Sequence, residues 1–348
     1  MRARRVIRGC LCFVAIAFTM PGYAGVEEDW NAIVVLEAGP KGSFQTRELA
    51  RQVTIEHLGR QEKALRHFLA TYPDDARCFD ARLQLAHLLA IRRDVEANPK
   101  AWAEATSLLD DLEKTAPPEK KADVAFARIS LFMRRMRADD ASARNSLTDM
   151  VTAFQKAFPR DRRLAPLLVE LATVYDADPA KKTGLLKEAQ PLATDEELKQ
   201  RIDDDLKRVA MLGKPLELKF TPVRGSPFDA REQRGKIVLI VFFADWSPPS
   251  METLRQVQQG VKLLSPEKFQ PVGISLDENR EALAANLKSQ GLAWPVYCDG
   301  KGWESPLVRS FGINSLPTVW LLDRQGNLRT LNARNDAAAM ARKLMQEH

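Results

Sequence analysis

The sequence predicts two regions of different class, an all-α region over residues 25–210 and an α/β domain over residues 213–348. Three observations carry this. From residue 27 to 210 apolar residues recur at helical spacing and alternating strand patterns are absent. Leu212-Gly213-Lys214-Pro215 then supplies a helix stop. Beyond it, short apolar runs alternate with amphipathic stretches, the grammar of a sheet covered by helices. A length of 348 residues suits two domains. With 45% hydrophobic and 28% charged residues, the chain is not disordered, collagenous or a polytopic membrane protein.

The first 24 residues stand apart. Arg2, Arg4, Arg5 and Arg8 precede an apolar run from Cys10 to Met20, and Pro21-Gly22-Tyr23-Ala24 follows. This is the layout of a secretory leader cut after Ala24, too short to span a bilayer. Arg4-Arg5 suggests a twin-arginine route that the next residues fit poorly. Cys10 and Cys12 precede or open the run rather than follow it, so they belong to the discarded leader and not to a lipid anchor. The expectation is an exported protein, soluble in the periplasm or outside the cell, without a transmembrane segment in the mature chain. The formal charge of +6 owes four arginines to this leader, leaving −2 for residues 25–212 and +4 for 213–348. Neither part has the basic excess that nucleic acid or anionic lipid would need.

In the helical region, Leu65, Phe68, Leu69 and Tyr72 form a stripe. Leu147, Met150, Val151, Phe154 and Phe158 form a second, and Leu164, Leu167, Leu168, Leu171 and Tyr175 a third. Tyr72-Pro73-Asp74, Pro117-Pro118 and Phe158-Pro159-Arg160 punctuate them. Pro73, Pro117 and Pro159 lie 44 and 42 residues apart, which resembles helical hairpins of the tetratricopeptide class with longer, degenerate units. An irregular bundle broken by prolines fits the same facts.

In the second region Leu216 to Phe220 alternates with period two, and Lys236 to Phe243 is a continuous apolar run fit for a buried strand. A helix from Ser250 to Leu264 follows, then a strand near Gln270–Ser275 and a helix over Asn279–Gln290. A short strand at Trp294–Tyr297, a helical turn at Pro306–Phe311, strands at Thr318–Leu322 and Leu328–Leu331 and a terminal helix complete it.

The long strand ends in Phe242-Phe243-Ala244-Asp245-Trp246-Ser247-Pro248-Pro249-Ser250. With Gly213-Lys214-Pro215, Gly235-Lys236, Gly312-Ile313-Asn314-Ser315-Leu316-Pro317-Thr318 and Leu321-Leu322-Asp323-Arg324-Gln325-Gly326, it resembles the thioredoxin superfamily, above all its exported TlpA-type thiol-disulfide oxidoreductases. That family carries its chemistry on Trp-Cys-Pro-Pro-Cys, so the resemblance implies that Ser247 and Ser250 stand at the two dithiol positions. A dithiol works because the first Cys, at a helix N-terminus, becomes a thiolate that attacks a disulfide sulfur. A serine hydroxyl neither ionises near neutral pH nor forms an exchangeable bond to sulfur. Aligned on Trp246, the buried Asp or Asn that assists proton transfer in relatives is Val241 here. The resemblance also makes Pro317 the superfamily's cis-proline and Leu316 the residue whose main chain pairs with an extended substrate. Trp246, Pro248, Leu316 and Pro317 would then form a shallow groove for strand-like peptide capture.

Other chemistries find no support. A nucleophilic Ser247 needs a base, and the one histidine beyond the helical region is His348; no G-x-S-x-G surrounds it. His57, His67 and His87 fall on expected helices at spacings that hold no metal, and neither a P-loop nor a dinucleotide fingerprint is present. No cofactor is expected. Of the two cysteines that follow the leader, Cys78 opens a helix and Cys298 ends a strand before a Gly-rich loop. They lie in different regions, a weak basis for a disulfide. Cys298 reads as a small buried hydrophobe. The leading expectation is a non-catalytic envelope binding module for extended peptide or protein partners. The alternative is a thiol-dependent oxidoreductase or peroxidase using Cys298 or an atypical site.

Overall fold

The computed structural model describes residues 25–40, 46–96, 98–136, 140–334 and 336–347, so the expected leader lies outside the described residues. The chain divides into two compact units, residues 1–131 and 132–348. The change of grammar at Gly213 lies within the second.

The first unit holds α1 (Val26–Glu37), α2 (Arg47–Thr71), α3 (Cys78–Glu96), α4 (Pro99–Thr115) and most of α5 (Lys121–Arg135). Thr46 caps α2 through the Leu49 N–H and Asn98 caps α4 through the Lys100 N–H, which satisfies orphan donors of the first turn. The expected stripe is the core: Leu65 and Phe68 are fully buried with Ile33, Leu85, Leu109 and Leu112.

The second unit opens with α6 (Ala141–Ala157), α7 (Leu164–Thr173), α8 (Pro179–Ala189) and α9 (Glu196–Met211). Its sheet domain adds β1 (Lys219–Phe220), β2 (Phe228–Asp229), β3 (Ile237–Phe243), α10 (Pro248–Val261), β4 (Phe269–Ser275) and α11 (Arg280–Ser289). It closes with β5 (Val296–Tyr297), α12 (Pro306–Ser310), β6 (Thr318–Leu322), β7 (Leu328–Thr330) and α13 (Ala337–Gln346).

One turn occurs in both units with the same construction. Tyr72 and Phe158 end α2 and α6 at nearly equal backbone angles, φ −127°, ψ 60° and φ −133°, ψ 58°. Asp75 then takes the Arg77 main-chain N–H and guanidinium at 2.9 and 2.8 Å, and Asp161 takes those of Arg163 at the same distances. Hydrogen bonding from the arginine side chain holds each carboxyl below its usual range. The proline in each turn removes a donor that the ended helix could not have used.

The five-stranded sheet has the order β5-β4-β3-β6-β7, with β3 parallel to β4 and antiparallel to β6. β3 is central, and all seven of its residues are buried because both faces are covered. Ile237, Leu239, Val241 and Phe243 face a core with α10, α11 and α13. Val238, Ile240 and Phe242 face a second core with Leu218, Phe228, Val308 and Trp320. There the Phe242 and Trp320 rings meet edge to face, centroids 4.9 Å apart. The expected alternating strand contracts to Lys219–Phe220, paired with Phe228–Asp229, which the sequence reading did not anticipate. Helix α10 begins at Pro248 rather than Ser250, because a proline at the first helical position lacks only an N–H that would have no helical partner.

Candidate functional site

Register places the candidate residues at one end of the sheet. Phe242 lies opposite Thr318, so Ala244–Ser247 leaves β3 where Leu316-Pro317 enters β6. The Leu316-Pro317 peptide bond is cis.

Ser247 is the N-cap residue of α10, with extended backbone, and it accepts the Met251 N–H on its carbonyl at 3.1 Å. Its hydroxyl caps no helical N–H. Instead the Ser250 hydroxyl donates to the Ser247 Oγ at 3.0 Å, with Ser250 fully buried and Ser247 nearly so. Among the described residues no imidazole or carboxylate bonds to either hydroxyl, so neither has a base. Trp246, next in line, is 59% exposed. Pro248 is exposed as well. Val241 is fully buried between Gly273 of β4 and Val319 of β6.

Leu316 departs from its expected part in an apolar groove. Its side chain packs against the core that holds Phe242 and Trp320. Pro317 is buried.

A polar network that the sequence reading missed fixes the turn leading to Ser247. The Asp245 N–H donates to both carboxylate oxygens of Asp277, at 3.1 and 3.0 Å. The Ser275 hydroxyl donates to Asp277 Oδ2 at 2.6 Å, and Asn286 Nδ2 donates to Asp245 Oδ1 at 2.5 Å. Asp277 and Ser275 are both buried, so these bonds replace lost hydration. The pattern Ser275-Leu276-Asp277 at a strand end was the available signal, since such short side chains bond nearby main chain.

Cys298 adjoins this network but is sealed. It is 1% exposed, and its thiol donates to the Asp277 carbonyl at 3.1 Å. Burial pushes the thiol above its ordinary range, which disfavours the nucleophilic form. Cys78 is buried too, its thiol donating to the Tyr72 carbonyl at 2.9 Å. Of the three histidines of the helical region, His57 is buried with Nε2 2.7 Å from the Leu36 carbonyl, and His67 lies 3.4 Å from Asp29. Among the described residues no cluster of metal-ligating side chains occurs and no helix is long and apolar enough to cross a membrane.

Residues 235–328 match the family model described as thioredoxin-like. Over 97 residues the chain is 33% identical to "Probable nucleoredoxin 3" of Oryza sativa subsp. japonica, covering 27% of this chain and 20% of that protein. The chain thus spans about a fifth of the length of this curated relative. Among solved structures it is similar to a thiol-disulfide oxidoreductase from Bacteroides fragilis NCTC 9343, with 24% identity, a TM-score of 0.33, and coverage of 37% of this chain and 96% of that one. It is also similar to a thioredoxin-family thiol:disulfide interchange protein from Chlorobium tepidum TLS, with 28% identity, a TM-score of 0.31, and coverage of 36% and 94%. Behind a largely helical region, the C-terminal part of this chain therefore contains a thioredoxin-like domain.

Proposed function

We propose that this protein is an exported binding or scaffold module whose thioredoxin-like domain holds extended polypeptide segments without dithiol chemistry. The observation that carries the reading is the hydroxyl pair at the start of α10, Ser250 donating to Ser247 at 3.0 Å with no base beside it. On the TlpA-type resemblance, these serines stand where Cys-Pro-Pro-Cys would perform exchange. The remaining thiol of the domain, Cys298, is sealed and held protonated. The surface assigned to binding is the exposed Trp246 together with the main chain at Leu316, at the same end of the sheet. An extended segment pairs with such groups as a strand would. The Arg-rich start and apolar run of the first 24 residues support export.

The test is a disulfide-exchange assay with insulin as substrate. The full chain should turn over at the buffer rate, and the Ser247→Cys/Ser250→Cys variant well above it, because a helix N-terminus acidifies a Cys at position 247. Wild-type turnover comparable to that variant would overturn the reading.

A further inference from the structure

Helix α9 lies outside the matched residues 235–328, yet it touches the loop that leads into Pro317. At Gly312, φ is +63° and an added Cβ would come within 2.9 Å of the Asp204 carbonyl oxygen, so helix and loop meet main chain to main chain. Arg208 donates to the Gly312 carbonyl and to the Asp205 carboxylate, and Lys207 Nζ donates to the Arg309 carbonyl at 3.3 Å. The Arg208 side chain is only 13% exposed. Burial lowers its pKa to about 10, with Asp204 and Asp176 opposing that shift and Arg201 adding to it.

A cavity of about 680 Å³, within the range of small-ligand pockets, opens where α9 meets the loop, with Thr173, Asp176, Lys182 and Asn332 completing its wall. Gln200, Arg201 and Asp204 line it from α9, and Asn314, Ser315 and Pro317 line it from the loop. An aliphatic side chain entering here would strip water from these groups without replacing its hydrogen bonds.

We propose that α9 is part of the binding site: Arg208 is a positioning residue for the Gly312–Pro317 loop, and the cavity between α9 and that loop takes a polar side chain of the bound polypeptide segment. The cavity's role rests on the function proposed above, whereas the role of Arg208 does not.

Hydrogen exchange on the full chain tests Arg208. The Gly312 and Ile313 N–H groups bond to the Arg309 and Val308 carbonyls at 3.1 Å each. In Arg208→Gln these two amides should exchange about tenfold faster, with β3 amides unchanged and partial recovery in Arg208→Lys. Unchanged rates at 312–313, or one uniform rise across the sheet, would overturn the positioning role. The cavity is tested in the Ser247→Cys/Ser250→Cys protein, where Gln200→Trp fills it. KM for insulin should rise about fivefold with kcat little changed. An unchanged KM would overturn the pocket. If the double-Cys parent itself shows no turnover, the proposed function fails and the pocket with it, while the exchange data still decide Arg208.

Discussion

The turn at Ser247–Ser250 and the strand end at Cys298 lie at the same end of one sheet, yet their chemistry is opposite. The first is an N-cap position on a helix at the sheet end where Leu316-Pro317 enters β6, and it carries hydroxyls. The second carries the thiol but lies buried against the Asp277 carbonyl. Position alone does not make a reactive cysteine; exposure and a stabilised thiolate do. The pair therefore separates scaffold from chemistry within one domain, and each side of the comparison can be broken.

The largest effect concerns Cys298. Alkylation by iodoacetamide at neutral pH should be at least a hundredfold slower in the folded chain than in denaturant, read by mass spectrometry. Fast native labelling would erase the contrast. The same thiol gives a pH dependence. Its folded pKa is raised, so the stability it contributes is fully present below the unfolded value of about 8.5 and is lost as pH climbs through the folded one. Urea midpoints of wild type and Cys298→Ala should converge above that range. Parallel midpoints from pH 7 to 10 would contradict the linkage.

Asp277→Asn comes next. It weakens a buried acceptor that holds Asp245 and Ser275, and should cost about 2 kcal/mol in chemical denaturation. A loss below about 0.5 kcal/mol would show that the turn before Ser247 is held by other contacts. Smaller again is the effect of Val241→Asp in the Ser247→Cys/Ser250→Cys protein. The added carboxylate should raise the exchange rate about tenfold, at some cost in stability. No change would mean that the groove, and not the buried residue, limits exchange.

How much of this was legible in the sequence varies by region. The continuous apolar run fixed β3, and Leu316-Pro317 and Ser247–Ser250 were placed by motifs local to the chain. The two-residue strand at Phe228–Asp229 was not readable, since so short a segment shows no period. The Asp277 network and the Arg208–Gly312 contact were missed for a different reason. They join residues 32 and 104 positions apart, and although Ser275-Leu276-Asp277 signals a local main-chain bond, no local pattern names the distant partner. The smallest expected effect follows from that contact. A fragment of residues 213–348 should melt cooperatively, about 5 °C below a fragment of residues 132–348, because it lacks α6–α9, among them the helix that braces Gly312. Equal melting temperatures would make α6–α9 passengers, the brace at Gly312 included.

On the proposed function, no thiol chemistry is expected at this end of the sheet in the natural chain. Insulin turnover by the full chain and by Cys298→Ala tests it most directly. Both should stay at the buffer rate, while Ser247→Cys/Ser250→Cys in the same assay exceeds it. Wild-type turnover that Cys298→Ala abolishes would overturn the binding reading and make Cys298 the catalytic thiol.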